Sequence, residues 1–184
     1  NNTKGSEKNN FSTNYRFDDK LNLLYTHNEA NSATQYRQFT ATSDKALNDR
    51  KYETKKDYLQ LQYSDDNVKG TAYYNAGQID YTNYDVTKST FAYNLEKNRI
   101  YGLDVQKTWM VGDGKVLFGG SYQHEYYLPN DYASATTDYD RNNYALYGQY
   151  EKPLDDKNTV IVGARETWTG STTGGKNYDN LSGS

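Results

Sequence analysis

Residues 101–126 read YGLDVQKTWMVGDGKVLFGGSYQHEY, and the fold follows from this stretch. Tyr101, Leu103, Val105 and Trp109 alternate with Gly102, Asp104, Gln106 and Thr108, a period of two that sends each set to its own face of a β-strand. Gly112-Asp113-Gly114-Lys115 then supplies residues that tolerate positive φ, as a tight hairpin turn requires. Val116, Phe118, Gly120, Tyr122 and Tyr126 return against Gly119, Ser121, Gln123 and Glu125. The stretch is therefore an antiparallel hairpin with one apolar and one polar face. No helix follows its glycines, so they do not form a phosphate cradle.

The same pattern recurs on both sides of this hairpin. Phe11, Thr13, Tyr15 and Phe17 alternate with Ser12, Asn14 and Arg16. After Asp18-Asp19-Lys20, Leu21, Leu23 and Tyr25 face away from Asn22, Leu24 and Thr26. Leu59, Leu61 and Tyr63 alternate with Gln60, Gln62 and Ser64, and beyond Asp65-Asp66-Asn67 a run from Val68 to Ala76 returns. Tyr144, Leu146, Gly148 and Tyr150 oppose Ala145, Tyr147, Gln149 and Glu151. After the turn at 153–158, Val160, Val162, Ala164 and Trp168 oppose Gly163, Arg165 and Thr167. The predicted fold is all-β, an antiparallel up-and-down meander of about eight long strands.

The connections alternate in length. Those at 18–20, 65–67, 111–115 and 153–158 are short, whereas 28–56, 78–97 and 127–141 are long and polar. A soluble meander has no reason to sort its loops in this way, although a two-faced soluble sheet would explain the alternation. A membrane barrel does sort them, with short turns at one rim and long loops at the other. Strands of roughly 9–11 residues suit a tilted crossing of the hydrocarbon layer. Trp109 and Tyr150 sit beside short turns, Tyr126, Tyr144 and Trp168 lie near the long-loop ends, and Leu103, Val105, Phe118, Leu146 and Val162 fall between. That order is an apolar band between two aromatic girdles, as expected for a section of a transmembrane β-barrel in the bacterial outer membrane. Lys107 and Glu166 fall on the lipid-facing side, where positions near strand ends would let the charge reach the interface.

Composition agrees. The chain has 184 residues, only 34% of them hydrophobic, yet 21 are Tyr. Low hydrophobicity alone would suggest disorder, but disordered chains lack aromatics. Tyr instead suits a structure that is mostly surface, because its ring covers apolar area while its hydroxyl stays wet. The net charge of −3 is small and interspersed, which argues against a nucleic-acid partner. Cysteine is absent, so disulfides and thiolate metal sites are excluded. No run is apolar enough for a spanning helix and no signal peptide is present, and the polar start NNTKGSEKNN suggests a fragment.

Catalytic chemistry is not indicated. His124-Glu125 lacks the second histidine of a zinc-protease helix and lies in a strand pattern. His27 and His124 are most simply residues of the outer interface. Asp138-Tyr139-Asp140-Arg141-Asn142 resembles the start of a calcium loop but lacks its central Gly and terminal Glu. No cofactor and no metal site are expected.

The segment RNNYALYGQYEKPLDDKNTVIVGARETWTG, 141–170, resembles TonB-dependent outer-membrane receptors of the ferric-enterobactin and colicin receptor kind. Tyr144, Ala145, Leu146, Tyr147 and Gln149 match a strand reading Y-A-L-Y-x-Q in that family. Gly163 and Arg165 match a following strand ending G-x-R-Y, although Glu166-Thr167-Trp168 departs from the usual Tyr-Asp. GKVLFGGSYQHEYY, 114–127, looks like the strand that precedes this pair. The resemblance implies a barrel of about 22 strands filled by a plug, with residues 1–184 as a part of its wall. It further implies TonB-energised import of a scarce ligand, most often a ferric siderophore. For an anionic, aromatic iron chelate, Tyr36, Arg37, Arg50 and Tyr52 in the first long loop are the candidate contacts, through cation–π and charge-assisted bonds. Arg165 is a candidate on the lumen side, to pair with a neighbouring carboxylate or meet the plug. A complete eight-stranded barrel acting as adhesin or anchor, and a barrel enzyme with its site at the loop ends, remain as alternatives.

Overall fold

The computed structural model describes residues 2–40, 43–85, 90–129, 138–171 and 177–183, with side chains at 5–33, 51–82, 93–129, 138–171 and 177–183. These residues form nine strands: β1 (Asn2–Arg16), β2 (Leu21–Thr40), β3 (Ser43–Ser64), β4 (Val68–Asp85), β5 (Thr90–Val111), β6 (Gly114–Leu128), β7 (Tyr139–Pro153), β8 (Thr159–Ser171) and β9 (Tyr178–Gly183). Each pairs antiparallel with the next in sequence, in a single sheet ordered β1 to β9. Within the described residues β1 and β9 are its two edges and do not pair with each other.

Register fixes which residues share a face, because partners across an antiparallel pair point to the same side. One row runs Tyr15, Leu23, Leu61, Ala72, Leu103, Tyr122, Tyr144, Trp168. The row at the next residue of each strand runs Asn14, Leu24, Gln60, Tyr73, Gly102, Gln123, Asn143, Thr169. The sheet thus has an apolar face and a polar face across β1 to β8. It has no apolar interior: the sole buried hydrophobic among the described residues is Ala145, while Leu103 is 48%, Phe118 52% and Val162 57% exposed. Apolar side chains standing uncovered across eight strands suit lipid as solvent, not water.

Several expectations from the sequence are corrected. The stretches 28–56 and 78–97 are mainly strand and not loop, with β2 and β3 paired from Leu21↔Tyr63 up to Thr40↔Ser43 and β4 and β5 from Val68↔Lys107 to Asp85↔Thr90. They carry no apolar alternation, yet their backbone groups pair all the same. The N-terminal segment ahead of Phe11 is likewise part of β1, and residues 178–183 contribute β9. Glu166, placed by the sequence near a strand end, stands well inside β8, in register with Leu146 and Leu181, because β8 continues past Trp168 and gains a partner. Lys107 does lie near a short turn, opposite Val68, the first residue of β4.

The short turns share a device. Asp18, Asp65 and Asp155 each open a turn, and the Oδ1 of each accepts from the backbone N–H groups two and three residues on: Lys20 and Leu21 (2.7 and 2.8 Å), Asn67 and Val68 (2.8 and 2.6 Å), Lys157 and Asn158 (both 2.8 Å). These bonds satisfy the donors that the reversing chain leaves without strand partners. The fourth turn uses Gly112 at φ 64°, the left-handed conformation that a two-residue hairpin needs. The turns are also tied to the sheet, with Ser64 N donating to Lys20 O (2.8 Å) and Thr108 N to Asn67 O (2.7 Å).

Bonds from the Val68 and Asn67 N–H groups, then from the Tyr63 hydroxyl, hold the Asp65 carboxyl down to about 2. A lowered folded-state pKa contributes stability above the ordinary carboxylate value of 3.8 and loses it as pH falls from there toward 2. Asp65→Asn keeps an oxygen for the turn but removes the charge, so acid sensitivity of unfolding over that window should weaken relative to wild type. Thermal unfolding of the full-length protein in detergent at pH 2–7 checks this, and parallel pH profiles for the two proteins would refute it.

Candidate functional site

The polar face carries an ordered set of side chains that reach across an intervening strand. Tyr73 on β4 lies over Gly102 of β5, where an added Cβ would stand 2.7 Å from the Tyr73 hydroxyl, and that hydroxyl donates to Gln123 Oε1 on β6 at 2.8 Å. Tyr147 on β7 lies over Gly119 of β6 in the same way, and donates to Asp104 Oδ1 on β5 at 3.0 Å. Each glycine is therefore a gap in the side-chain layer that a tyrosine ring fills. Reach across two strand spacings, close to 10 Å on a flat sheet, is easier when the sheet curves toward the polar side.

Around these rings the network continues. Glu125 Oε1 accepts from Asn143 Nδ2 at 3.1 Å, its other oxygen pairs with Arg141, and Thr169 Oγ1 donates to Asn143 Oδ1 at 2.9 Å. Arg165 places its guanidinium 5.4 Å from the centre of the Tyr147 ring, a cation–π contact, and lines a hollow of about 350 Å³ with Gln106, Gln149 and Tyr147. The signal for this network lies in the polar residues and in the glycines at 102 and 119. Nothing in the sequence signals which tyrosine would cover which glycine.

Of the candidate ligand residues, Tyr52 and Arg165 have described side chains, and both belong to the polar face. Tyr52 pairs in register with Ser32 and Tyr81, and its ring stacks on Tyr81 at 5.6 Å between centroids. Arg165 aligns through Tyr147, Gly119, Gln106 and Lys69 with Ser64, far down β3 from Tyr52. That separation is roughly 40 Å along the strand at about 3.4 Å per residue, so the two cannot touch one small ligand. The side chains of Tyr36, Arg37 and Arg50 lie outside the described residues. Their backbones are in the extended β2–β3 hairpin, with Tyr36 opposite Asn48, Arg37 opposite Leu47, and Arg50 between Thr34 and Asn83. Tyr52 and Arg50 thus share one end of the sheet, and Arg165 belongs to the wall network.

On the apolar face, beyond the band, polar pairs close the outer aromatic row. His27 Nδ1 lies 2.7 Å from Asp57 Oδ1, which also accepts from the Tyr25 hydroxyl at 2.9 Å. His124 stacks on Tyr101 at 4.8 Å and lies 2.9 Å from Asn142 Oδ1 and 3.4 Å from Asp140. Further along, Glu7, Asn31, Lys51, Glu53, Asp80 and Tyr93 line a hollow of about 470 Å³. No three His, Asp or Glu side chains among the described residues are grouped to hold a metal ion.

No family model and no curated protein matches the chain. Solved structures do match. Over 97% of its length the chain superposes on 33% of the copper transporter OprC, with a TM-score of 0.58 and 13% identity. It superposes equally on 30% of the outer membrane transporter YddB from Escherichia coli (97% of this chain, TM-score 0.59, 12% identity), and on 31% of the alcaligin outer membrane receptor FauA from Bordetella pertussis (96%, 0.56, 12%). The chain spans about a third of each of these proteins. Its fold is a section of the β-barrel that such outer-membrane transporters have.

Gly119→Ala should displace the Tyr147 ring and break its bond to Asp104, at a cost of ~1–3 kcal/mol typical of overpacking. In a Tyr147→Ala background the same substitution should be nearly neutral or favourable, since nothing then covers the glycine. A double-mutant cycle by denaturant unfolding of the full-length protein measures the coupling, and equal costs in both backgrounds would refute the packing.

Proposed function

We propose that residues 1–184 form part of the barrel wall of a bacterial outer-membrane receptor that takes up a scarce ligand with energy supplied through TonB, and that the ligand is a ferric siderophore. The observation that carries this reading is the open, two-faced sheet that superposes over nearly its whole length on a third of larger outer-membrane transporters. In such a barrel the apolar face meets lipid and the polar face lines the lumen. Short carboxylate-stapled turns mark the periplasmic rim, and the tall β2–β3 and β4–β5 hairpins rise on the outside.

The two sheet edges favour a section of a large barrel over a closed eight-stranded one, because β1 and β9 stand at opposite sides and would need further strands as partners. The polar face then looks onto a plug, and its tyrosine-over-glycine layer offers hydroxyls and carboxylates to it. Resemblance of residues 141–170 to ferric-enterobactin and colicin receptors supports iron chelates as the ligand class. In the outer hairpin, Arg50 and Tyr52 are the contacts this reading uses, with Tyr36 and Arg37 beside them. Arg165 acts in the wall. Neither the neighbours nor the site chemistry favours an enzyme.

Cells lacking other high-affinity iron uptake, and expressing the full-length protein, should grow on at least one class of ferric siderophore only when TonB is present. Arg50→Ala with Tyr52→Ala should weaken binding of that chelate by about tenfold, the loss expected from one cation–π and one charge-assisted contact. TonB-independent growth would overturn the transport mechanism. TonB-dependent uptake confined to a ligand without iron would overturn the siderophore.

A further inference from the structure

On the apolar face, immediately beyond the outer aromatic row, Arg99 and Lys97 stand two residues apart on β5 and so point to the same side. Neither has an ion-pair partner among the described residues. The Arg99 guanidinium lies 4.7 Å from the centre of the Tyr126 ring, a cation–π contact that holds it over the sheet. Asp140, in register with Tyr126, lies 3.4 Å from His124.

Below these cations the face is hollowed. Leu103, Val105, Tyr122, Tyr144, Leu146 and Trp168 surround Gly120 in a depression of about 480 Å³ with an almost wholly apolar lining. A second depression of about 430 Å³ continues it toward the short turns, between Trp109, Phe118, Tyr150 and Val162 over Gly148 and Ala164. From Leu103 to Trp109 the lane runs some 20 Å along the strand at ~3.4 Å per residue. The lane exists because β6, β7 and β8 place Gly120, Gly148 and Ala164 where their neighbours carry rings or branched chains. A guanidinium and an ammonium without an ion-pair partner among the described residues, on the same face four and six residues along β5 from Leu103 in an apolar channel, match one kind of molecule: an anionic group with a long hydrocarbon tail, oriented with its charge at the membrane surface.

We propose that this lane is a specific site for a phosphate-bearing lipid of the outer leaflet, with the phosphate held by Arg99 and Lys97 and an acyl chain lying over Gly120. The proposal rests on the reading of the chain as membrane-spanning. It goes beyond that reading, since generic lipid contact needs neither the two cations nor the channel. Arg99 recognises the phosphate through its planar fork of donors, and Lys97 adds charge.

The test uses the full-length protein reconstituted in detergent or vesicles, with native mass spectrometry and a competition assay against a fluorescent phospholipid as readouts. Three probes are compared: an outer-leaflet glycolipid carrying its phosphates, the same glycolipid with phosphates removed, and inorganic phosphate alone. Wild type should retain the phosphorylated lipid preferentially. Arg99→Gln and Lys97→Gln should each weaken retention about fivefold, the value of one basic residue near an anionic lipid surface, and Arg99→Lys should recover part of the loss. A folded, heat-modifiable band for every variant confirms that the barrel is intact. Equal retention of the two glycolipids, unchanged retention in the variants, or displacement of the lipid by inorganic phosphate alone would overturn the proposal while leaving the barrel reading standing. Failure of wild type to insert into vesicles would overturn both.

Discussion

Backbone hydrogen bonding is the constraint on which this structure depends. Each strand offers N–H and C=O groups on both sides, and in a hydrocarbon environment no water satisfies them. The nine consecutive antiparallel strands meet that demand by pairing each strand with its chain neighbours, from β1 against β2 to β8 against β9. Because the ladder holds the sheet together, the side chains are released from making a core. They can then divide by face, with Leu103, Phe118 and Val162 left exposed on one side and the tyrosine network on the other.

The polar face shows how such a wall is made rigid without an interior. A ring laid over a glycine on the neighbouring strand fills the side-chain layer and carries a hydroxyl one strand farther. Tyr73 over Gly102 and Tyr147 over Gly119 therefore clamp β4 to β6 and β7 to β5. Arg165 covers the outer surface of one ring. This places the arginine in the sheet's own cohesion, far from Tyr52, which stacks on Tyr81 in the β2–β3–β4 section.

The two ends of the sheet are built differently, and the difference serves the proposed orientation. At one rim the chain reverses in a few residues, with Asp18, Asp65 and Asp155 each stapling a turn through two backbone donors. At the other, the paired strands of β2 to β5 run on well past the aromatic row. Between them lies the apolar band, and at its outer border stand the half-buried His27, Asp57, His124 and Asp140 and the exposed Arg99. That border is where a lipid headgroup and the protein would share one layer.

The sequence by itself determined the two faces and the positions of all four short turns, because a period of two and residues such as Gly112 and Asp65 act locally. The residues of the polar face, including Tyr147 and Arg165, were legible as a set for the same reason. Tertiary structure decided what needs a partner to exist. The extensions of β2 to β5 form because backbone groups pair even where both faces are wet, so no apolar pattern announces them. Glu166 moved from a presumed strand end to the interior of β8 once β9 paired beside it. The choice of which ring covers which glycine, the separation of Arg165 from Tyr52, and the channel beneath Arg99 all follow from register across strands, a relation that no single strand's sequence contains.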